Sequence, residues 1–203
     1  MFRTDILDIN TDEISSSVFK LKDHWISRSE YFGFWTLGRC AYLDGKTPAY
    51  ARDVAVLNPI LKQEFGLLYD LVTEHLSKQF DEPVVLTDQF AYPSFHIFES
   101  NPILLTQSGL WHTDYPHTTL GLTAPDPYSF TLAVKLPSGG AGLDYKDQDG
   151  QEQYLPYVEK GMVGHDGSIL HRISCMKSYV PNEFRITLQG HVVRIDGQLT
   201  LFW

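Results

Sequence analysis

The sequence predicts a mainly β domain, a sandwich or open barrel with helices packed on one face. After Pro83 the apolar residues fall into nine short runs rich in β-branched and aromatic side chains, each bounded by turn residues. Before Pro83 they recur at three- and four-residue steps, the spacing of a helix face. The chain also holds 12 Phe, 11 Tyr and 4 Trp, more than a helical bundle of 203 residues needs and suited to sheet faces and pocket walls.

Residues 12–30 carry Ile14, Val18, Leu21, Trp25 and Ile26 at helical steps and predict one amphipathic helix. Asn58-Pro59 reads as a cap followed by a first-turn proline, and Ile60, Leu61, Leu67, Leu68, Leu71, Val72 and Leu76 carry that second helix to about Phe80. The strand-like runs are 84–89, 94–99, 117–122, 128–136, 143–145, 162–164, 168–173, 184–195 and 198–203. Asp196-Gly197, between the last two, predicts a two-residue hairpin turn of the primed type. The glycines of 138–142 lack the Lys-Ser/Thr of a phosphate loop and open no helix, so this stretch reads as a loop between strands.

A length of 203 residues without repeat or linker predicts a single domain over 1–203, with helical support over about 1–82 and the barrel over about 83–203. The net charge of −9 and the lack of any basic tract make nucleic acid and anionic membrane poor partners. No apolar run reaches the ~18 residues of a membrane span. Asp5 and Asp8 sit where a signal peptide would be apolar, so a cytoplasmic location is expected. Cys40 and Cys175 stand far apart and provide neither a disulfide framework nor a cysteine zinc site.

The chemistry concentrates in the second half of the chain. His112-Thr113-Asp114 places an imidazole and a carboxylate two residues apart, on one face of an extended segment. His171 lies 59 residues further on (112 to 171) in another strand-like run. Two neutral imidazoles and one carboxylate on one side of an ion leave its other positions open, which suits non-haem Fe(II); zinc accepts similar ligands. Arg185 and Thr187 follow on one face of the 184–195 strand, where a guanidinium fork and a hydroxyl can share one carboxylate.

These motifs resemble the 2-oxoglutarate and Fe(II)-dependent oxygenases, in which His-x-Asp, a distal His and an Arg followed two residues later by Ser or Thr occur in that order. The resemblance spans roughly residues 95–191 and takes in the Gly139-Gly140 loop, Gly161 and Gly167. It implies a double-stranded β-helix (jelly-roll, cupin-like). His112, Asp114 and His171 would then ligate Fe(II), while Arg185 and Thr187 would hold the distal carboxylate of 2-oxoglutarate. It also implies dioxygen as co-substrate and hydroxylation of an unactivated C–H bond of a small metabolite, with a free amino acid as the first candidate. Since Asp114 is retained, halogenation is disfavoured. Hydroxylation of a protein side chain of the prolyl type, or a non-catalytic cupin-like metal- or ligand-binding barrel, are the alternatives, and the protein is expected to be a monomer or homodimer.

Tyr92 and His96 are candidate substrate contacts from a neighbouring strand, as are Asp144 and Tyr145 after the glycine loop. His117, three residues after Asp114, falls on the opposite face of a strand. His165 reads as part of a turn, and His191 shares the parity of Arg185 and Thr187. Arg172 alternates away from the ligand face and is expected to make a salt bridge outside the barrel.

Overall fold

The computed structural model describes residues 2–125 and 127–203. Strand β1 (Arg3–Ile6) precedes helix α1 (Thr11–Lys20), whose N-terminus is capped by Asn10: its side chain accepts a hydrogen bond from the Glu13 amide at 3.3 Å. The predicted helix over 12–30 ends at Lys20. Residues Trp25–Ser29 form β2, which pairs with β3 (Phe34–Leu37). Trp25 and Ile26 satisfy a strand as well as a helix, and the ladder decides: β3 is itself paired to a central strand, while the Trp25 indole donates to the Val18 carbonyl at 3.0 Å, folding the chain back on α1.

After the short helix α2 (Ala41–Asp44), helix α3 runs over Tyr50–Phe80, beginning eight residues before Asn58. Asn58 is therefore no cap. Its buried side chain donates to the Phe90 carbonyl at 2.8 Å and accepts from the Tyr92 amide at 3.1 Å, bracketing the 90–92 segment to the helix. Pro59 lies inside α3, and the helical dihedrals fail instead at Phe65, beside Gly66. Asp81, at φ 53°, closes the helix.

Strands β4 (Val84–Leu86), β5 (Ser94–Glu99), β6 (Tyr128–Lys135), β7 (Gly142–Lys146), β8 (Glu152–Pro156), β9 (Gly161–Asp166), β10 (His171–Ile173), β11 (Phe184–Ile195) and β12 (Gln198–Phe202) follow. The strand predicted over 117–122 is replaced by helix α4 (Pro116–Thr119), because Pro116 occupies its first turn and Thr118 and Thr119 return their hydroxyls to the Tyr115 and Pro116 carbonyls. Strands β1, β2, β3 and β8 have no counterpart in the predicted set. Asp196 and Gly197 have φ of 50° and 85°, as the predicted primed turn requires.

Two sheets result. The larger has the order β1-β9-β6-β11-β5-β3-β2, with β12 beside the second half of β11 and β4 parallel to β12; the smaller is β10-β7-β8. Strand β11 is the centre: β6 pairs along one side, while β5 and then β12 pair along the other. Alternation on it gives two unlike faces. Ile186, Leu188 and Val192 join Leu132 and Val134 of β6, Phe95 and Ile97 of β5, and Leu61, Phe65, Tyr69 and Val72 of α3 in the main apolar core. Arg185, Thr187 and His191 point the other way, toward the small sheet, where Ala133 and Val163 of the large sheet meet Leu143 and Leu155 of the small one. Among the described residues no helix is long and apolar enough to cross a membrane.

Candidate metal and co-substrate site

His112 and His171 are brought together by backbone before side chains enter. They form an isolated antiparallel bridge, each amide donating to the other's carbonyl at 2.9 Å, so the two imidazoles emerge on one side of the edge of the small sheet. Their rings lie 4.4 Å apart. Asp114, two residues beyond His112, reaches the same point: its Oδ1 is 3.7 Å from His112 Nε2 and its Oδ2 is 3.7 Å from His171 Nε2. One donor atom from each of the three residues lies within 4.8 Å of the others.

The imidazole tautomers follow from their neighbours. His112 Nδ1 lies 2.8 Å from the Leu110 carbonyl and His171 Nδ1 is 2.8 Å from the Ile169 carbonyl. A carbonyl only accepts, so both Nδ1 atoms carry hydrogen and both Nε2 lone pairs face Asp114. Burial pushes the His171 imidazole below its ordinary pKa, which keeps it neutral as a metal ligand must be. Burial alone would raise the Asp114 carboxyl; His191, His171, His165 and the Ser129 hydroxyl outweigh it and hold the group below the ordinary carboxylate value.

The inner face of the large sheet supports this carboxylate with residues that the sequence reading undervalued. His165, Ser129 and His191 are opposite one another on β9, β6 and β11, and all three are buried. Ser129 Oγ lies 2.9 Å from His191 Nδ1. The His165 ring meets that of His171 edge-on at 4.6 Å, and burial pushes its pKa down to about 4. His165 is thus a strand residue rather than part of a turn. The parity of His191 with Arg185 was the available signal for its position, whereas nothing local in the sequence marked Ser129.

Arg185 lies further along the same face of β11, buried, between the rings of Tyr157 at 5.1 Å and Phe98 at 5.7 Å. Burial lowers its pKa, and the groups acting against that are the phenols of Tyr157 and Tyr154, not a carboxylate. Its Nε and the Thr187 Oγ1 are buried without a hydrogen-bond partner. A cavity lined by Arg185, Phe98, Ser100, Ala141, Ser174 and Met176 opens beside it. A buried guanidinium lining a small space, with a hydroxyl two residues along the same strand face, is a candidate anion subsite.

The candidate substrate contacts divide. His96 is opposite Thr187, on the face of the site, and Tyr145 is opposite His171. Tyr92 packs in the helix-side core against Tyr69, its hydroxyl on Asp88 at 2.5 Å, because Asn58 ties its segment to α3. Asp144 is opposite Arg172, not His171, and receives its Nε at 3.1 Å, with Glu152 taking Nη2 at 2.6 Å. That is the salt bridge expected of Arg172. His117 is buried in α4.

No family model and no curated protein matches the sequence. Solved structures do match the fold. The non-heme alpha ketoglutarate dependent carbocyclase SnoK from nogalamycin biosynthesis superposes with a TM-score of 0.55 at 9% identity, over 97% of this chain and 82% of that one. A 2OG-Fe(II) oxygenase family protein from Caulobacter crescentus gives 0.53 at 16% identity, over 92% and 76%. The chain has the fold of the 2-oxoglutarate and Fe(II)-dependent oxygenases. AviO1 from Streptomyces viridochromogenes Tue57 is similar to the same degree, with a TM-score of 0.54 at 13% identity over 93% and 87%. The double-stranded β-helix predicted from the motifs is therefore the fold observed.

Proposed function

We propose that the protein is an Fe(II)- and 2-oxoglutarate-dependent dioxygenase that hydroxylates an unactivated C–H bond of a small molecule. The observation that carries this reading is the conjunction of a two-histidine, one-carboxylate cluster with a buried guanidinium that has no carboxylate partner among the described residues. The residues fit the implied groups by donor chemistry: neutral imidazoles and an ionised carboxylate for a divalent cation, and Arg185 with Thr187 for a dicarboxylate.

Bound Fe(II) with 2-oxoglutarate and dioxygen would supply the oxidising power for attack on a C–H bond. The chain's own part is placement. Leu110 and Ile169 carbonyls fix the two ligand tautomers, and Ser129, backed by His191, orients Asp114. Arg185 and Thr187 would anchor the far end of the co-substrate from a strand paired on both sides, with the buried Tyr157 and the half-buried Phe98 flanking the guanidinium. The His112 side chain is 52% exposed against 6% for His171, so the cluster opens outward on the His112 side, where substrate would enter.

Anaerobic mixing with Fe(II) and 2-oxoglutarate should produce a weak visible absorption band that is lost in Arg185→Leu and His171→Ala. Aerobic incubation should release succinate. A metal-binding barrel without catalysis would stay colourless and leave 2-oxoglutarate intact, and that result would exclude the proposal.

A further inference from the structure

The open flank of the large sheet carries an aromatic wall that the metal cluster does not use and that the candidate anion subsite shares only through Phe98. Phe34 of β3 and Phe98 of β5 are register partners, and their rings stack 4.2 Å apart with 3° between planes. His96, two residues before Phe98, meets Phe34 edge-on at 5.0 Å and the Trp203 ring at 5.0 Å. Its Nε2 lies 2.5 Å from the hydroxyl of Tyr42, a residue of α2. This is the face of the site, because Phe98 is opposite Arg185 and His96 opposite Thr187.

Exposure sets this wall apart from core. Phe95 and Ile97, pointing to the helices, are fully buried, whereas Phe34, His96 and Phe98 are half-buried and Tyr42 is 40% exposed. Aromatic side chains that solvent reaches on the inner face of the sheet, beside a candidate reaction centre, offer an aromatic contact surface.

Charge narrows what the wall can hold. Arg28 and Arg39, the guanidinium groups of this flank, are tied to Asp44 and Asp53 at 2.5 to 2.9 Å. Burial holds His96 well below its ordinary pKa and so neutral. With Arg185 assigned to the co-substrate, the carboxylate of a free amino acid would meet no available cation on this wall and would face desolvation unpaired.

We propose that this wall binds a neutral, planar ring substrate bearing a hydroxyl or carbonyl group, with the ring against Phe34, which Phe98 backs from the other side, and the polar group hydrogen-bonded to the His96–Tyr42 pair. The inference rests on the oxygenase reading and sets aside the free amino acid suggested by the sequence. The Tyr42 hydroxyl and the His96 imidazole can each donate or accept, so the pair matches either polar group. Ring-on-ring contact supplies the bulk of the affinity and the pair fixes orientation.

Calorimetric titration of the full chain with 2-naphthol, 2-naphthoate and L-phenylalanine tests this without turnover, and a separate Co(II) titration followed by visible absorption tests the metal cluster. The expected result is binding of 2-naphthol at least tenfold tighter than of either carboxylate, weakened at least fivefold by Phe34→Leu and by Tyr42→Phe. Equal or tighter binding of 2-naphthoate or L-phenylalanine, or no binding of 2-naphthol, would overturn the substrate class even if Co(II) binds. Failure to bind Co(II) would overturn the oxygenase reading and this inference with it.

Discussion

Replacing Arg185 by Leu should move folding stability and co-substrate affinity in opposite directions. Among the described residues the guanidinium is buried without a carboxylate partner, its Nε unsatisfied, and two aromatic rings and a phenol are its compensation. Exchanging buried charge for an apolar side chain of similar volume is commonly neutral or stabilising by about 1–4 kcal/mol. The lost cation–π contacts, about 0.5–2 kcal/mol, oppose that gain. A net gain of about 1–2 kcal/mol raises the Tm of a chain this long by about 2–8 °C. For the 2-oxoglutarate complex the same change removes a charge-assisted contact worth about 2–5 kcal/mol, at least ~30-fold in Kd. At a concentration of ~100 times the wild-type Kd, 2-oxoglutarate stabilises the wild type by about 2.7 kcal/mol and the variant by at most about 0.9 kcal/mol. Thermal unfolding followed by circular dichroism, with Mn(II) present and with and without 2-oxoglutarate, reads both quantities. A variant clearly less stable than wild type when free of ligand, or one that keeps the full ligand-induced shift, would refute the argument.

Asp114→Asn should weaken Co(II) binding more than Ser129→Ala, since loss of a ligand exceeds the ~10–100-fold cost of losing its support, and Ser129→Thr should restore affinity; visible-absorption titration orders the three. The buried Asp44 is 2.6 Å from Arg28 and 2.9 Å from Arg39. Burial alone would raise its pKa, but the Arg28 and Cys40 hydrogen bonds and the two guanidinium charges hold it below the ordinary 3.8. Its stabilisation is therefore complete above about pH 4 and lost as pH falls through the lower folded value. Asp44→Asn should cost about 3–5 kcal/mol at pH 7, and urea titrations should show that deficit shrinking below pH 4. Gly197→Ala, at φ 85°, should lower Tm by about 2–4 °C through about 1 kcal/mol of backbone strain, checked by the same thermal scan.

Legibility followed from how local the determining physics is. The 184–195 run was readable to the residue because alternation over twelve positions is a strong signal and both its faces are committed, one apolar and one polar. His112, Asp114 and His171 follow a family pattern in order, and the fold brings the three together; Arg185 and Thr187 share one face of β11, as their spacing predicts. Residues 25–29 were misread because Trp25 and Ile26 fit both periods and only pairing with β3, a non-local event, decides between them. Asn58-Pro59 looked like a helix start because a cap and a buried bracket use the same side-chain chemistry; the partner, the 90–92 backbone, lies far away in sequence. Tyr92 and Asp144 alternate away from the cluster for the same reason, since their facing depends on Asn58 and Arg172.

The site divides between two kinds of backbone, and the division matches its two tasks. Arg185 and Thr187 stand on a strand paired on both sides, where the desolvation of a guanidinium can be maintained because neighbouring strands leave no room for water to follow. An anchor for an anion needs that fixity, since affinity comes from holding the charge dry before the anion arrives. His112 stands on a single bridge to His171 at the edge of the small sheet, with half its side chain in solvent. A ligand that must admit a cation from water needs such an opening. Asp114 joins the two: it continues the exposed segment of His112, yet His191 and the Ser129 hydroxyl of the rigid sheet help hold its carboxyl below the ordinary carboxylate value. On the proposed reading, this shared carboxylate would keep the metal cluster in register with the anion subsite, which would account for buried histidines on the inner face of the large sheet, where an ordinary sheet interior carries aliphatic side chains.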